Sequence, residues 1–156
     1  MKKLLSFLLI GLYATCCNAT VIDGWDIQVS GDIQRTSHLV LEEEFETYTG
    51  DLALNKIEKK ANNGISWVLV PVTVKRVEET DHKLESTAFT LTVQDKVYSR
   101  EKEDAFLVDF KMRPLTKLKI NKGTHNGFLM FSLPDKVMIQ DAVLSYQGKE
   151  VDILHP

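Results

Sequence analysis

Ile65-Ser66-Trp67-Val68-Leu69-Val70-Pro71-Val72-Thr73-Val74-Lys75-Arg76-Val77 is the stretch from which the fold can be read. Side chains of a strand alternate between faces, so Val68, Val70, Val72 and Val74 put four β-branched residues on one side. The other side carries Trp67 and Leu69, then turns polar at Thr73 and Lys75. The pattern predicts a central strand, buried on both faces at its start and half-exposed at its end. Pro71 has no N–H to give to a ladder. The strand is therefore expected to bulge at that point or to run unpaired on one side.

Strand-like periods continue on either side. Before the central stretch, Trp25, Ile27 and Val29 alternate with polar residues, and Gly31-Asp32 ends the run. Between Gln34 and Gly64 the pattern weakens. Leu39-Val40-Leu41 is compatible with a short strand, and a polar excursion from Glu42 to Asp51 follows. Leu52 to Lys60 has apolar residues at 53, 54 and 57, which predicts a short helix or a mobile loop, with Asp51 as its cap. After the central stretch, Phe89, Leu91 and Val93 alternate, Gln94-Asp95-Lys96 turns, and Val97-Tyr98 returns. Further strands are expected within Ala105 to Met112, at Leu118 to Ile120 and over Gly127 to Leu133. A last pair, Val137 to Tyr146 and Val151 to Leu154, is joined by a hairpin turn at Gln147-Gly148-Lys149. Seven or eight strands, spaced roughly ten residues apart with almost no helix, predict an all-β, antiparallel sandwich.

Length and composition set the frame for these elements. A chain of 156 residues, 44% hydrophobic and 26% charged, is the size of one globular domain. Met1 to Ala19 reads as a secretory signal peptide: Lys2 and Lys3 are followed by the apolar Leu4 to Leu12 and by small residues at the cleavage site Cys17-Asn18-Ala19. The expected organisation is a signal peptide over 1–19 and one β-domain over 20–156. The apolar run is too short to serve as a transmembrane anchor, which needs about 20 residues. Both cysteines, Cys16 and Cys17, precede the cut, so the mature chain is expected to carry no disulfide and no thiolate. The rival reading is lipidation at Cys16 or Cys17, which would anchor the protein. Either way the location is extracytoplasmic, periplasmic or secreted. Removal of Lys2 and Lys3 takes the formal net charge from −3 to −5, a balance that argues against nucleic acid as partner.

Three segments together resemble the telokin-like, immunoglobulin-fold family of bacterial secreted proteins and lipoproteins of unknown function. They are Trp67 to Lys75, Phe89 to Tyr98, and Ile120 to Pro134 with its Gly127-Phe128-Leu129-Met130-Phe131. The likeness spans roughly the last 90 residues. Arg76 and the mid-strand Pro71 depart from the family pattern. Membership would imply an immunoglobulin-like sandwich and an extracytoplasmic location, but no activity, because a fold does not carry a function.

No constellation for catalysis stands out. There is no Gly-x-Ser-x-Gly elbow, no phosphate loop and no mature thiol, so the protein is expected not to be an enzyme and to need no cofactor. His38, His82, His125 and His155 occur singly, without the spacing of a metal motif. A softer metal reading combines Met112, Met130 or Met138 with His125, but Met130 and Met138 are expected to pack in the core. Binding is the class that remains. The acidic stretch around Phe45 and Tyr48, with Glu43 and Glu44, is the candidate partner-binding site, and the Arg100 to Asp104 loop is a second. The alternative for Phe45 and Tyr48 is a pair of staples that pin a loop to the domain. The favoured function is an exported, non-enzymatic binding or accessory module for an unknown protein partner of the envelope or outside the cell. An envelope carrier of a metal or small ligand is the alternative.

Overall fold

The computed structural model describes residues 20–77, 84–100, 107–108, 114–115 and 123–151. Thirteen strands lie among them: β1 (Thr20–Ile22), β2 (Trp25–Val29), β3 (Gln34–Thr36), β4 (His38–Glu46), β5 (Leu52–Lys60), β6 (Ile65–Arg76), β7 (Phe89–Val93), β8 (Lys96–Ser99), β9 (Leu107–Val108), β10 (Pro114–Leu115), β11 (Thr124–Pro134), β12 (Val143–Tyr146) and β13 (Lys149–Glu150). One 3-10 turn, Ser86–Ala88, is the only helical element among the described residues. The protein is thus nearly all-β, and every pairing is antiparallel.

The quoted stretch forms β6, and the largest sheet is built on it. On one edge β6 pairs with β11 from Ile65↔Pro134 to Lys75↔Thr124. Its other edge takes two short strands in succession, β3 against Trp67–Leu69 and β2 against Val72–Arg76. The sheet runs β1-β2-β6-β11-β9-β10, with β3 beside β6. Pro71 falls in the gap between β2 and β3. Its carbonyl accepts from the Ser30 amide at 2.9 Å, so its nitrogen faces the same gap, where the connecting chain loops outward past Gly31. Having no N–H, Pro71 cannot return that bond to Ser30, and the β2 ladder ends there.

Val68, Val70, Val72 and Val74 are completely buried. They share one cluster with Trp25, Ile27 and Val29 of β2, Leu129, Phe131 and Leu133 of β11, and the inward residues of a second sheet ordered β13-β12-β7-β8. Phe89 and Tyr146 anchor that second sheet, with ring centroids 4.6 Å apart. The opposite face of β6 and β11 presents Trp67, Leu69 and Met130. They are covered by Leu39 and Leu41 of β4, with Ile57 of β5 and Ala61 packed alongside. Burial of each such aliphatic or aromatic side chain contributes about 1.5–3 kcal/mol.

Several expectations need correction. Leu52 to Lys60 is strand β5, paired residue for residue with β4, and neither a helix nor a mobile loop. Its local spacing loses to the nine-residue ladder offered by β4. Glu42 to Glu46 belongs to β4, which reduces the supposed polar loop to Thr47–Asp51. Val137 to Val143 is mostly turn, and β12 starts only at Val143. Val137 and Ile139 reach the core as partly buried residues, whereas Met138 between them is exposed, not packed. The strand count exceeds the expected seven or eight: β1, β3, β5 and β10 lie where no strand is expected, and Lys149, expected in the last turn, already belongs to β13. Residues 1–19, Leu118 to Ile120 and Asp152 to Leu154 lie outside the described residues.

Candidate interaction site

β4 and β5 form a two-stranded sheet of their own, a hairpin with nine residues in each strand. At about 3.3 Å per residue such an arm is about 30 Å long. Its buried apolar residues are at the base, where Leu39 and Leu41 pack against β6 and β11, and β10 also lies beside β4. Phe45 continues the face of Leu41 and is 48% exposed, with Ala53 opposite it. On the other face Leu52 and Leu54 are 78% and 59% exposed, and Tyr48 at the apex is fully exposed.

The apex is nonetheless ordered by its own bonds. The Thr47 amide donates to the Asp51 carbonyl at 2.8 Å and the Gly50 amide to the Thr47 carbonyl at 2.9 Å. The Asp51 amide donates to Thr47 Oγ1, and the Thr49 hydroxyl to an Asp51 carboxylate oxygen at 2.9 Å. Gly50 takes φ +83°, the left-handed conformation that closes a hairpin of this length. Tyr48 is therefore presented on a turn that is pre-organised before any contact is made.

Charge is divided along the arm. Toward the base, Lys56 lies 3.7 Å from Glu42 and His38 lies 3.5 Å from Glu58, both exposed pairs of small energetic weight. From 43 to 55 the sequence holds Glu43, Glu44, Glu46 and Asp51 and no basic residue. The tip thus joins exposed aromatic and aliphatic side chains to a purely acidic backbone segment. Interface anchors have this character, large apolar surface rimmed by charge.

The structure gathers the four sequence-selected residues on one projecting element. Glu43 and Glu44 are on β4, at register positions opposite Asn55 and Leu54. Phe45 and Tyr48 belong to neither buried cluster among the described residues. Leu52 and Leu54 were missed, because the segment was read with helical spacing. Their period of two, with Ala53 between, was the available signal.

The other candidates disperse. Arg100 is buried, its guanidinium 5.8 Å above the Phe131 ring, and is unsuited to a surface loop contact; Glu101 to Asp104 lie outside the described residues. His125 and Met130 sit on opposite faces of β11, Met130 in the cluster under the hairpin, so they cannot share a ligand. His82, His155 and Met112 lie outside the described residues. Among the described residues no group of three or more His, Cys, Asp or Glu is placed to hold a metal ion. No helix among them is long and apolar enough to cross a membrane. A hollow of about 330 Å³ at the hairpin base, lined by His38, Lys60, Asn62 and Asp135, is wide open to solvent.

Comparison with protein-family models, curated proteins and solved structures returns no match for the chain. The likeness to the telokin-like family accordingly rests on the residue pattern quoted for it.

Proposed function

We propose that this is an exported, non-enzymatic binding module that engages a protein partner through the tip of the β4–β5 hairpin. The carrying observation is the combination at the tip: Phe45, Tyr48, Leu52 and Leu54 all exposed, on a turn fixed by its own hydrogen bonds. Large apolar side chains exposed on both faces of one hairpin end are the kind of residue that anchors an interface. The pre-organised turn lowers the ordering cost of association. The composition of residues 1–19 supports export, and two sheets about a shared core support an immunoglobulin-like sandwich as the scaffold. A sandwich of this kind presents its loops and hairpins to partners while its core strands stay inaccessible.

Replacing Phe45 and Tyr48 together by alanine tests the proposal. The expected outcome is a melting temperature within about 2 °C of the parent, since surface substitutions shift stability by about 0.5 kcal/mol or less. Photo-crosslinking from position 48 in intact cells is expected to give a discrete adduct that the Phe45→Ala change removes. A probe at Asp95, in the β7–β8 turn, is expected to give none. Adducts of equal yield from both positions, or none from position 48, would overturn the assignment of the tip.

A further inference from the structure

β5 pairs with β4 along one edge, and no described strand pairs with the other. In an antiparallel ladder, residues bonded to the partner strand alternate with residues whose N–H and C=O point away. The bonds from Thr47 to Asp51 and from Ala61 to Ser37 fix the phase of this alternation. Ala53, Asn55 and Ile57 thus face β4, and Leu52, Leu54, Lys56, Glu58 and Lys60 turn their backbone groups outward. Edges of this length are ordinarily guarded by charge or by proline. Here the guard covers only the base half, because the tip half, Leu52-Ala53-Leu54-Asn55, has no charge and two exposed leucines.

We propose that this edge is a self-association seam: β5 of two copies pairs antiparallel about a two-fold axis at Asn55, joining two hairpins into one four-stranded ribbon. Outward-facing residues must meet outward-facing residues, which restricts the choice of axis. An axis at Asn55 sets Leu54 opposite Lys56 of the second copy, Leu52 opposite Glu58, and Ala53 opposite Ile57, with no like charges opposed. The lysine stem covers the leucine while its ammonium stays in water. An axis at Lys56 opposes two lysines, and like charges across strands are destabilising. An axis at Leu54 pairs fewer strand residues. An axis at Ile57 brings the two Lys60 positions within about 20 Å along the ribbon, crowding the domains; at Asn55 they are about 33 Å apart. The interface is self-complementary, as a two-fold contact requires. Leu52 and Leu54 are shared with the tip surface proposed above, whereas Phe45 and Tyr48 lie outside the seam, so loss of the dimer with Leu54→Lys and loss of the partner adduct with Phe45→Ala are separate outcomes.

A seam of one strand per copy is small, so the dimer is expected to be weak and concentration-dependent. Sedimentation equilibrium of the purified protein is expected to show the mass rising from one chain toward two with concentration. Leu54→Lys puts a lysine opposite Lys56 of the second copy twice over. Within its own hairpin the same lysine sits at the register position of Glu44, an opposite charge. This variant is expected to dimerise about tenfold more weakly with an unchanged melting temperature. In a background with Cys16 and Cys17 replaced by serine, Asn55→Cys is expected to form a covalent dimer about tenfold faster than Leu52→Cys. Two copies of residue 55 face each other at a non-bonded pair, a spacing a disulfide accepts, whereas two copies of residue 52 are six residues apart. Random collision favours the more exposed position 52, so equal or faster cross-linking there overturns the seam. A monomer at every concentration, or a dimer indifferent to Leu54→Lys, does the same.

Discussion

Tyr146 shows how a single polar atom is accommodated in the core. Its ring is buried against Phe89, and its hydroxyl accepts a hydrogen bond from the Glu85 amide at 3.3 Å. Burial raises its phenol above the ordinary value of about 10, only partly offset by that amide bond. In the unfolded chain the phenol ionises near its ordinary value, while in the folded chain it holds its proton to higher pH. The neutral form therefore contributes stability that is complete below about pH 10 and is lost as pH rises toward the folded value. Tyr146→Phe is expected to cost about 1 kcal/mol at neutral pH, because the Glu85 amide loses its acceptor. It is also expected to flatten the decline of stability above pH 10; denaturant titrations of parent and variant from pH 8 to 11 check both effects. Turn residues show the same local determinism. Asp23-Gly24, Gln94-Asp95 and Gln147-Gly148 all take positive φ at both positions, the backbone of tight hairpins, and two of the three carry the glycine that makes it easy.

The β4–β5 hairpin is held by far less apolar contact than the sheets it leans on. Leu39 and Leu41 are its buried residues, and they meet Trp67, Leu69 and Met130 on the face of β6 and β11 away from the main core. The arm is therefore expected to open on its own, before the global transition. Leu41→Ala removes one of its two buried anchors and is expected to cost the arm about 2–3 kcal/mol. Amide exchange should then accelerate through 52–60 while β6 keeps its protection. Equal loss of protection in β5 and β6 would mean that the arm and the sheets unfold as one unit. The element also explains where sequence reading failed. Leu52-Ala53-Leu54-Asn55-Lys56-Ile57 has few β-branched residues and suits a helix locally. Its strand character comes from the nine consecutive partners that β4 supplies.

For the chain as a whole, the organisation expected from the sequence is a leader followed by a disulfide-free domain. Intact mass measurement on the protein recovered from the envelope fraction is expected to give a chain beginning at Thr20. A mass carrying a diacylglycerol-sized increment on Cys16 or Cys17 would replace secretion with lipid anchoring. Without cross-links the domain depends on its core, and that core is divided. One cluster lies between the two sheets, and a smaller one lies beneath the hairpin.

Alternation made β2, β6 and β7 legible, because a period of two over five or more residues leaves few other folds for the chain, and the centre of β11 was legible as a dense apolar run between Gly127 and Pro134. The valines of β6 announced the buried face before any partner strand was known, and Pro71 announced a break in pairing on one side. Phe45 and Tyr48 stood out as large aromatics in an acidic segment. Tertiary structure decided the rest. Whether those aromatics were buried or exposed depended on where β5 lay, and β5 carries no decisive pattern of its own. Its state was set by hydrogen bonds to β4, and the base of the hairpin was set by the apolar back of β6 and β11. Local propensity is worth tenths of a kcal/mol per residue, whereas nine paired residues and a buried Leu39-Leu41 footing together outweigh it.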